Sequence, residues 1–283
     1  MQLSVSLKDD GMFKQVVDKI VTLEGNIHFC NVLYVLAGLK PVTRFLLTKV
    51  SLEEARTFLE STGLKMLVSD IATFENDKIK YMVYISGNED SARDALRAEM
   101  DGDHETLGRL LGYPECCVKS FSQNYELARR LFDDYTLIAL ENSYTQGFPF
   151  YMNVSLRYFD ASFLNHFPCS FNCSSSLELA KQFAECIKRC TPHLYDQMIT
   201  KLATAVIYSN DTGVHAFKDV SFTQEGFHYD GVRLTSPNEF HELLKKGNNI
   251  KVLDKHHFII YNDQEKVKEV NDELIGVLQF NTA

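Results

Sequence analysis

Seven cysteines carry most of the chemistry this sequence can offer, and they are unevenly placed. Cys116 and Cys117 stand side by side in LLGYPECCVKSF (110–121). Cys169 and Cys173 stand four apart in NHFPCSFNC (165–173). Cys186 and Cys190 follow at the same spacing, and Cys30 stands alone. The odd count, and an N-terminus (MQLSVSLKDDGMF) with acids where an export signal would be apolar, argue against a disulfide framework. In a reducing compartment such clusters more often bind metal or do redox work.

Pro114 marks the start of a helix and places Cys116 and Cys117 in its first turn. Unpaired N–H groups and the helix dipole favour a thiolate there. Glu115 opposes this slightly. A disulfide between the two neighbours is unfavourable, because consecutive Cα atoms lie about 3.8 Å apart, below the usual disulfide range of about 4.4–6.8 Å. Cys169 and Cys173 fall in a loop just before a second helix, and such a loop can wrap both sulfurs around one ion. Their spacing is that of the first two cysteines of a radical-SAM loop, but serines 174–176 stand where the third is needed, so that assignment fails.

Taken together, the two pairs supply the four thiolates of an iron–sulfur cluster or, alternatively, a zinc site. Adjacent residues do not readily point at one ion, so a polynuclear cluster, or three sulfurs with His166, is as reasonable as a mononuclear tetrahedron. Metal-free thiol chemistry is a further alternative, with one thiolate attacking and another resolving a mixed disulfide or persulfide. His166, three residues before Cys169, and His104, in DGDHETLGRLLGYP, are the candidates for an extra ligand or a catalytic proton carrier. Cys186 and Cys190 share an apolar stripe with Leu179, Phe183 and Ile187, which points to core packing. Cys30, in HFCNVLYVL, also reads as core. His256 and His257 would point to opposite faces of a strand and make a poor joint site. The segment FPFYMN (148–153) reads as core or as the lining of an apolar pocket.

Three regions must position these residues, and the expected class is α+β. Residues 1–100 read as a small α/β sandwich: two short helices over 10–38, a strand at 42–50, a helix at 51–62 opened by a Ser51/Glu54 capping box, strands at 65–74 and 80–86, and a helix at 91–100. That order suggests half a ferredoxin-like unit. Residues 101–200 form the helical, cysteine-bearing region. One helix follows Pro114 with the stripe Val118, Phe121, Tyr125, Ala128 and Phe132, and another is opened by a Ser175/Glu178 capping box. Residues 201–283 are β-rich, with strands TAVIYS, VHAFKDV, FHYDGVRL and HHFIIYN around a short helix, PNEFHELLKKG.

Composition narrows the function. With 29 basic and 38 acidic side chains, the chain carries a net charge of −9 and no long basic run. Nucleic acid and anionic membrane are therefore not expected partners. No apolar run reaches membrane-spanning length. No GxGxxG, Walker loop, GxSxG or HExxH occurs. The expectation is a cytoplasmic protein acting on a small molecule.

AGLKPVTRFL (37–46) and GYPECCVKSF (112–121) resemble an uncharacterised prokaryotic family, a domain of unknown function, with a GLKP segment and a GYPxCCV signature. HFPCSFNC resembles a second block of that family. The resemblance spans about residues 30–185. It implies that Cys116, Cys117, Cys169 and Cys173 act as one site, and it implies no reaction. The sequence therefore points to a metal-binding protein, foremost an iron–sulfur or other metal-dependent enzyme. The alternatives are a sulfur-transfer or redox enzyme using Cys116 and Cys117, and a non-catalytic protein with structural zinc.

Overall fold

A computed structural model describes residues 26–75, 78–131, 133–235 and 238–282. The chain divides into two compact units. The first comprises residues 26–122 with Gln182–Pro192, and the second Gln123–Lys181 with the residues from His193 onward.

The first unit opens with α1 (Asn26–Leu36), the second of the two helices expected over 10–38; residues 10–25 lie outside those described. Then come β1 (Val42–Thr48), α2 (Lys49–Ser61), β2 (Lys65–Glu75), β3 (Lys78–Ser86) and α3 (Glu89–Met100). β3 lies between β1 and β2 and is antiparallel to both. β1–α2–β2 is thus a parallel crossover with a strand inserted, the split arrangement of a ferredoxin-like half. α3 buries Ala92, Ala95 and Ala98, three small residues at helical spacing, against Val42, Tyr84, Leu107 and Leu111. Asn88 caps α3 by accepting the Asp90 N–H.

Two short helices follow, α4 (His104–Leu110) and α5 (Glu115–Gln123). The single helix expected after Pro114 breaks at Asn124, and its second part is α6 (Tyr125–Arg130) in the second unit.

The second unit continues with α7 (Thr136–Glu141), β4 (Gly147–Pro149) and two turns of 3-10 helix over Phe150–Met152 and Val154–Phe159. α8 (Ser174–Cys190) is shared: residues 174–181 count to the second unit and 182–190 to the first. α9 (Pro192–Leu202) leads into the β-rich segment. There β5 (Ala205–Ser209), β6 (Gly213–Lys218), β9 (Gly231–Leu234) and β13 (Ile275–Thr282) join β4 in one five-stranded sheet. β7 (Ser221–Phe222), β8 (Gly226–His228), β10 (Asn249–Val252), β11 (His257–Asn262) and β12 (Glu265–Asn271) form the other. α10 (Glu239–Lys246) lies between β9 and β10 in sequence.

Both sheets and α10 contribute to one core: Ala205, Ile207, Phe217 and Val277 from the first, Phe227, Ile250, Phe258 and Ile260 from the second, and Leu244 from the helix. The run FHYDGVRL does not make one strand. It turns near Asp230, and its halves enter different sheets. The class is α+β, with helices in the central region and a β-rich C-terminal region. Among the described residues, no helix is long and apolar enough to cross a membrane.

Candidate metal centre

The GYPECC segment is a helix end joined directly to a helix start. Gly112, at φ 76°, donates its N–H to the Arg109 carbonyl, while the Tyr113 N–H reaches the Gly108 carbonyl. That pair of bonds closes α4 as a Schellman motif, whose left-handed position suits glycine. A Cβ on Gly112 would lie 3.1 Å from Cδ of Pro41. Pro114 then offers its carbonyl to the N–H groups of Cys117 and Val118 and starts α5. Gly108 admits Val118, since a Cβ there would meet the valine at 2.9 Å. The glycines and the proline thus put both cysteines in the first turn of α5. Cys116 is exposed and Cys117 buried, with their sulfurs 3.9 Å apart.

Glu115 does not act on these sulfurs as an unbalanced charge. Arg109 grips it with two hydrogen bonds, Nε to Oε2 and Nη2 to Oε1, both 2.9 Å, and reaches Glu105 as well. Lys119 adds an ion pair. These cations hold the Glu115 carboxyl below its usual range, Arg109 foremost. Two acids and two bases cancel locally, so Glu115 adds no net charge at the start of α5.

The HFPCSFNC loop is held from below. Phe171 is fully buried and packs on Phe148 of β4 and Phe280 of β13, with ring centroids 5.1 and 5.5 Å away. Burying one such ring contributes about 1.5–3 kcal/mol. The Phe171 N–H donates to Ser143 Oγ at 2.9 Å, and Asn142 donates to the Cys169 carbonyl. Asn172 accepts the Tyr144 N–H and donates to Thr145. Cys169 and the buried Cys173 are presented on this framework.

Cys173 is also the N-cap of α8. Its carbonyl accepts the Leu177 N–H, and its sulfur accepts the Ser176 N–H at 3.5 Å. The cap is therefore the cysteine, two residues before the Ser175/Glu178 capping box expected from the sequence. A thiolate at this position receives both a hydrogen bond and the favourable end of the dipole.

The sulfurs of Cys116, Cys117, Cys169 and Cys173 all lie within 4.8 Å of one another, a group that could hold a metal ion. Among the described residues, that group contains neither His166 nor His104. His166 is buried, with Nε2 2.9 Å from Ser176 Oγ, so it meets the serine whose backbone caps onto Cys173. His104 is the first residue of α4, its ring edge-on to Phe121 with centroids 5.7 Å apart. Ser176 and Arg109 were not singled out by sequence reasoning. Both act through partners that only the fold brings near.

Residues 93–202 match the model of a family described as a protein of unknown function, DUF483. The matched stretch contains both cysteine pairs. An uncharacterized protein of Methanothermobacter thermautotrophicus is 67% identical over 27 residues, 10% of this chain and 15% of that protein. The chain thus matches only a small part of that relative's length. No solved structure matches the chain. These likenesses support an uncharacterised domain family, and no activity comes with them.

Proposed function

We propose that this is a metal-binding protein whose four cysteines hold one ion in a tetrahedral tetrathiolate site, with zinc as the first choice and a single iron as the second. The observation that carries this reading is the mutual approach of all four sulfurs within 4.8 Å. Four thiolates about 2.3 Å from one zinc lie about 3.8 Å apart along the tetrahedron's edges, and Cys116 and Cys117 already sit at 3.9 Å. An iron–sulfur cluster, the first expectation from the sequence, binds its thiolates through different irons and holds them farther apart than sulfurs sharing one ion. The spacing therefore favours a mononuclear centre. The donor set agrees, because soft thiolates select zinc, iron or Cu(I) over hard cations.

With four protein sulfurs the ion is closed, as in structural centres. Action on a small molecule, the wider reading of the sequence, requires one sulfur to give way. Cys116 is the exposed member of the set. Its removal leaves three ligands and an open position.

Metal analysis of anaerobically purified protein, with visible spectra, tests the proposal on wild type, Cys116→Ser and Cys169→Ser. One zinc or one iron per chain, reduced in both variants, is expected. Several irons with inorganic sulfide would overturn the mononuclear reading. An absence of metal in all preparations, even after anaerobic addition of zinc, would overturn metal binding itself.

A further inference from the structure

The last two turns of α8 carry a second thiol pair that the four-cysteine group does not use. Cys186 and Cys190 are one helical turn apart and therefore share a face. Cys186 is buried, while Cys190, the last residue of the helix, is half-buried and open to an arriving ion. Tyr34 of α1 stacks on Phe183 of α8, with ring centroids 3.9 Å apart and planes 7° from parallel. That contact puts the α1 face bearing Cys30 and Tyr34 behind the α8 face bearing the pair. Cys30 and Tyr34 are both buried.

We propose that Cys186 and Cys190 form a second thiolate site that holds a univalent, thiophilic cation of the Cu(I) type. Side chains at i and i+4 of a helix have Cβ atoms about 5–6 Å apart, a span that two sulfurs close around one ion. A disulfide does not suit the pair, because it needs Cβ atoms about 3.5–4.5 Å apart and would unwind the helix end. Zinc does not suit it either. Zinc takes four ligands, and among the described residues the pair belongs to no gathered group of three or more cysteine, histidine or carboxylate ligands. A soft univalent ion is satisfied by two thiolates in apolar surroundings. Two thiolates around a univalent ion carry a net charge of −1, which the neighbouring Arg189 offsets.

The acidities run the same way. A hydrogen bond with Cys190, and then burial, push the Cys186 thiol up. The same bond lowers the Cys190 thiol. The bond holds a proton on Cys186 between the two sulfurs, so the pair gives up its first proton at the more accessible Cys190. Binding forms two metal–sulfur bonds and releases the thiol protons to solvent, with no change in oxidation state.

The test is anaerobic competition for Cu(I) against a chromogenic chelator, using the full chain as purified with whatever metal it carries. Wild type should take up one Cu(I) while keeping that metal. Cys190→Ser changes a half-buried helix end and should bind that Cu(I) at least ~100-fold more weakly, beyond the loss usual for a group that only supports a ligand. Its resident metal and circular dichroism should not change. Equal Cu(I) uptake by wild type and Cys190→Ser would overturn the proposal. So would uptake that occurs only as the resident metal is displaced. Because the readout is the difference between two proteins with intact four-cysteine groups, it stands or falls apart from the reading of that group.

Discussion

Lys40 shows how much one side chain of a short motif can carry that the motif itself does not explain. Its ammonium is buried, donates to Asn31 Oδ1 at 3.1 Å and lies over the Tyr113 ring at 5.3 Å. It joins the GLKP segment to the GYPECC segment, two blocks that are adjacent only in space. Burial, and then the charge of Arg44, lower its pKa to about 7. A free lysine keeps its proton to about pH 10.4, so between those values the unfolded chain binds more protons than the folded one. Stability should therefore rise with pH across that window. Thermal denaturation of wild type and Lys40→Met from pH 7 to 10 checks this. Wild type should gain on the variant as pH rises, and parallel curves would contradict the assignment. At this scale the sequence was partly legible. The paired cysteines stood out because type and spacing are visible in one dimension. Ser176 and Arg109 did not, and Lys40 stood in the GLKP segment without a role, because each matters only through a partner that the fold supplies.

At the scale of elements, the strongest local signals held and the shared ones failed. β1, β2, β3, α2 and α3 lie close to where the sequence places them, but α2 starts at Lys49, and its cap is Thr48, whose Oγ1 accepts the Ser51 N–H, rather than the expected Ser51/Glu54 box. The helix after Pro114 breaks at Asn124 although its apolar stripe continues, because periodicity records which face is buried and not whether the backbone is unbroken. β12 escaped notice for the opposite reason. EKVKEVN fully buries only Val270 and gives four of its other six positions to Lys and Glu, as suits a sheet edge that must not recruit a neighbour. The cap of α8 makes a sharp prediction. Cys173→Ser keeps an oxygen acceptor for the Ser176 N–H, whereas Cys173→Ala removes it. In metal-free protein the alanine variant should be less stable than the serine variant by about 1 kcal/mol, while both lose metal affinity. Urea titration in the presence of chelator measures the first effect and metal competition the second. Equal stability of the two metal-free variants would show that the sulfur does not cap.

The whole molecule balances a tightly packed β core against buried groups that dislike acid. His215 is fully buried on β6, with Nε2 3.0 Å from Thr212 Oγ1, and its ring lies 6.3 Å from that of His241. Burial, and then the proximity of His241, lower its pKa to about 4. The unfolded imidazole takes its proton near pH 6.5. Stability should thus be lost as pH falls from 6.5 towards 4, by up to about 3 kcal/mol. Urea midpoints for wild type and His215→Leu between pH 7 and 4 provide the check. The variant should have the shallower acid slope, and equal slopes would place the acid sensitivity elsewhere. This level was the least legible in sequence. The first five-stranded sheet joins β4, from residues 147–149, to strands beyond 204, and no local pattern announces pairing across such separations.

The loop bearing Cys169 and Cys173 is shaped by Phe171, Asn142, Asn172 and Ser143, none of which needs an ion. Its conformational freedom is given up when the polypeptide folds rather than when a ligand arrives. A zinc finger must refold at each encounter with its metal. This half of the candidate centre is a standing mould, whose shape is set by the fold before any ion arrives.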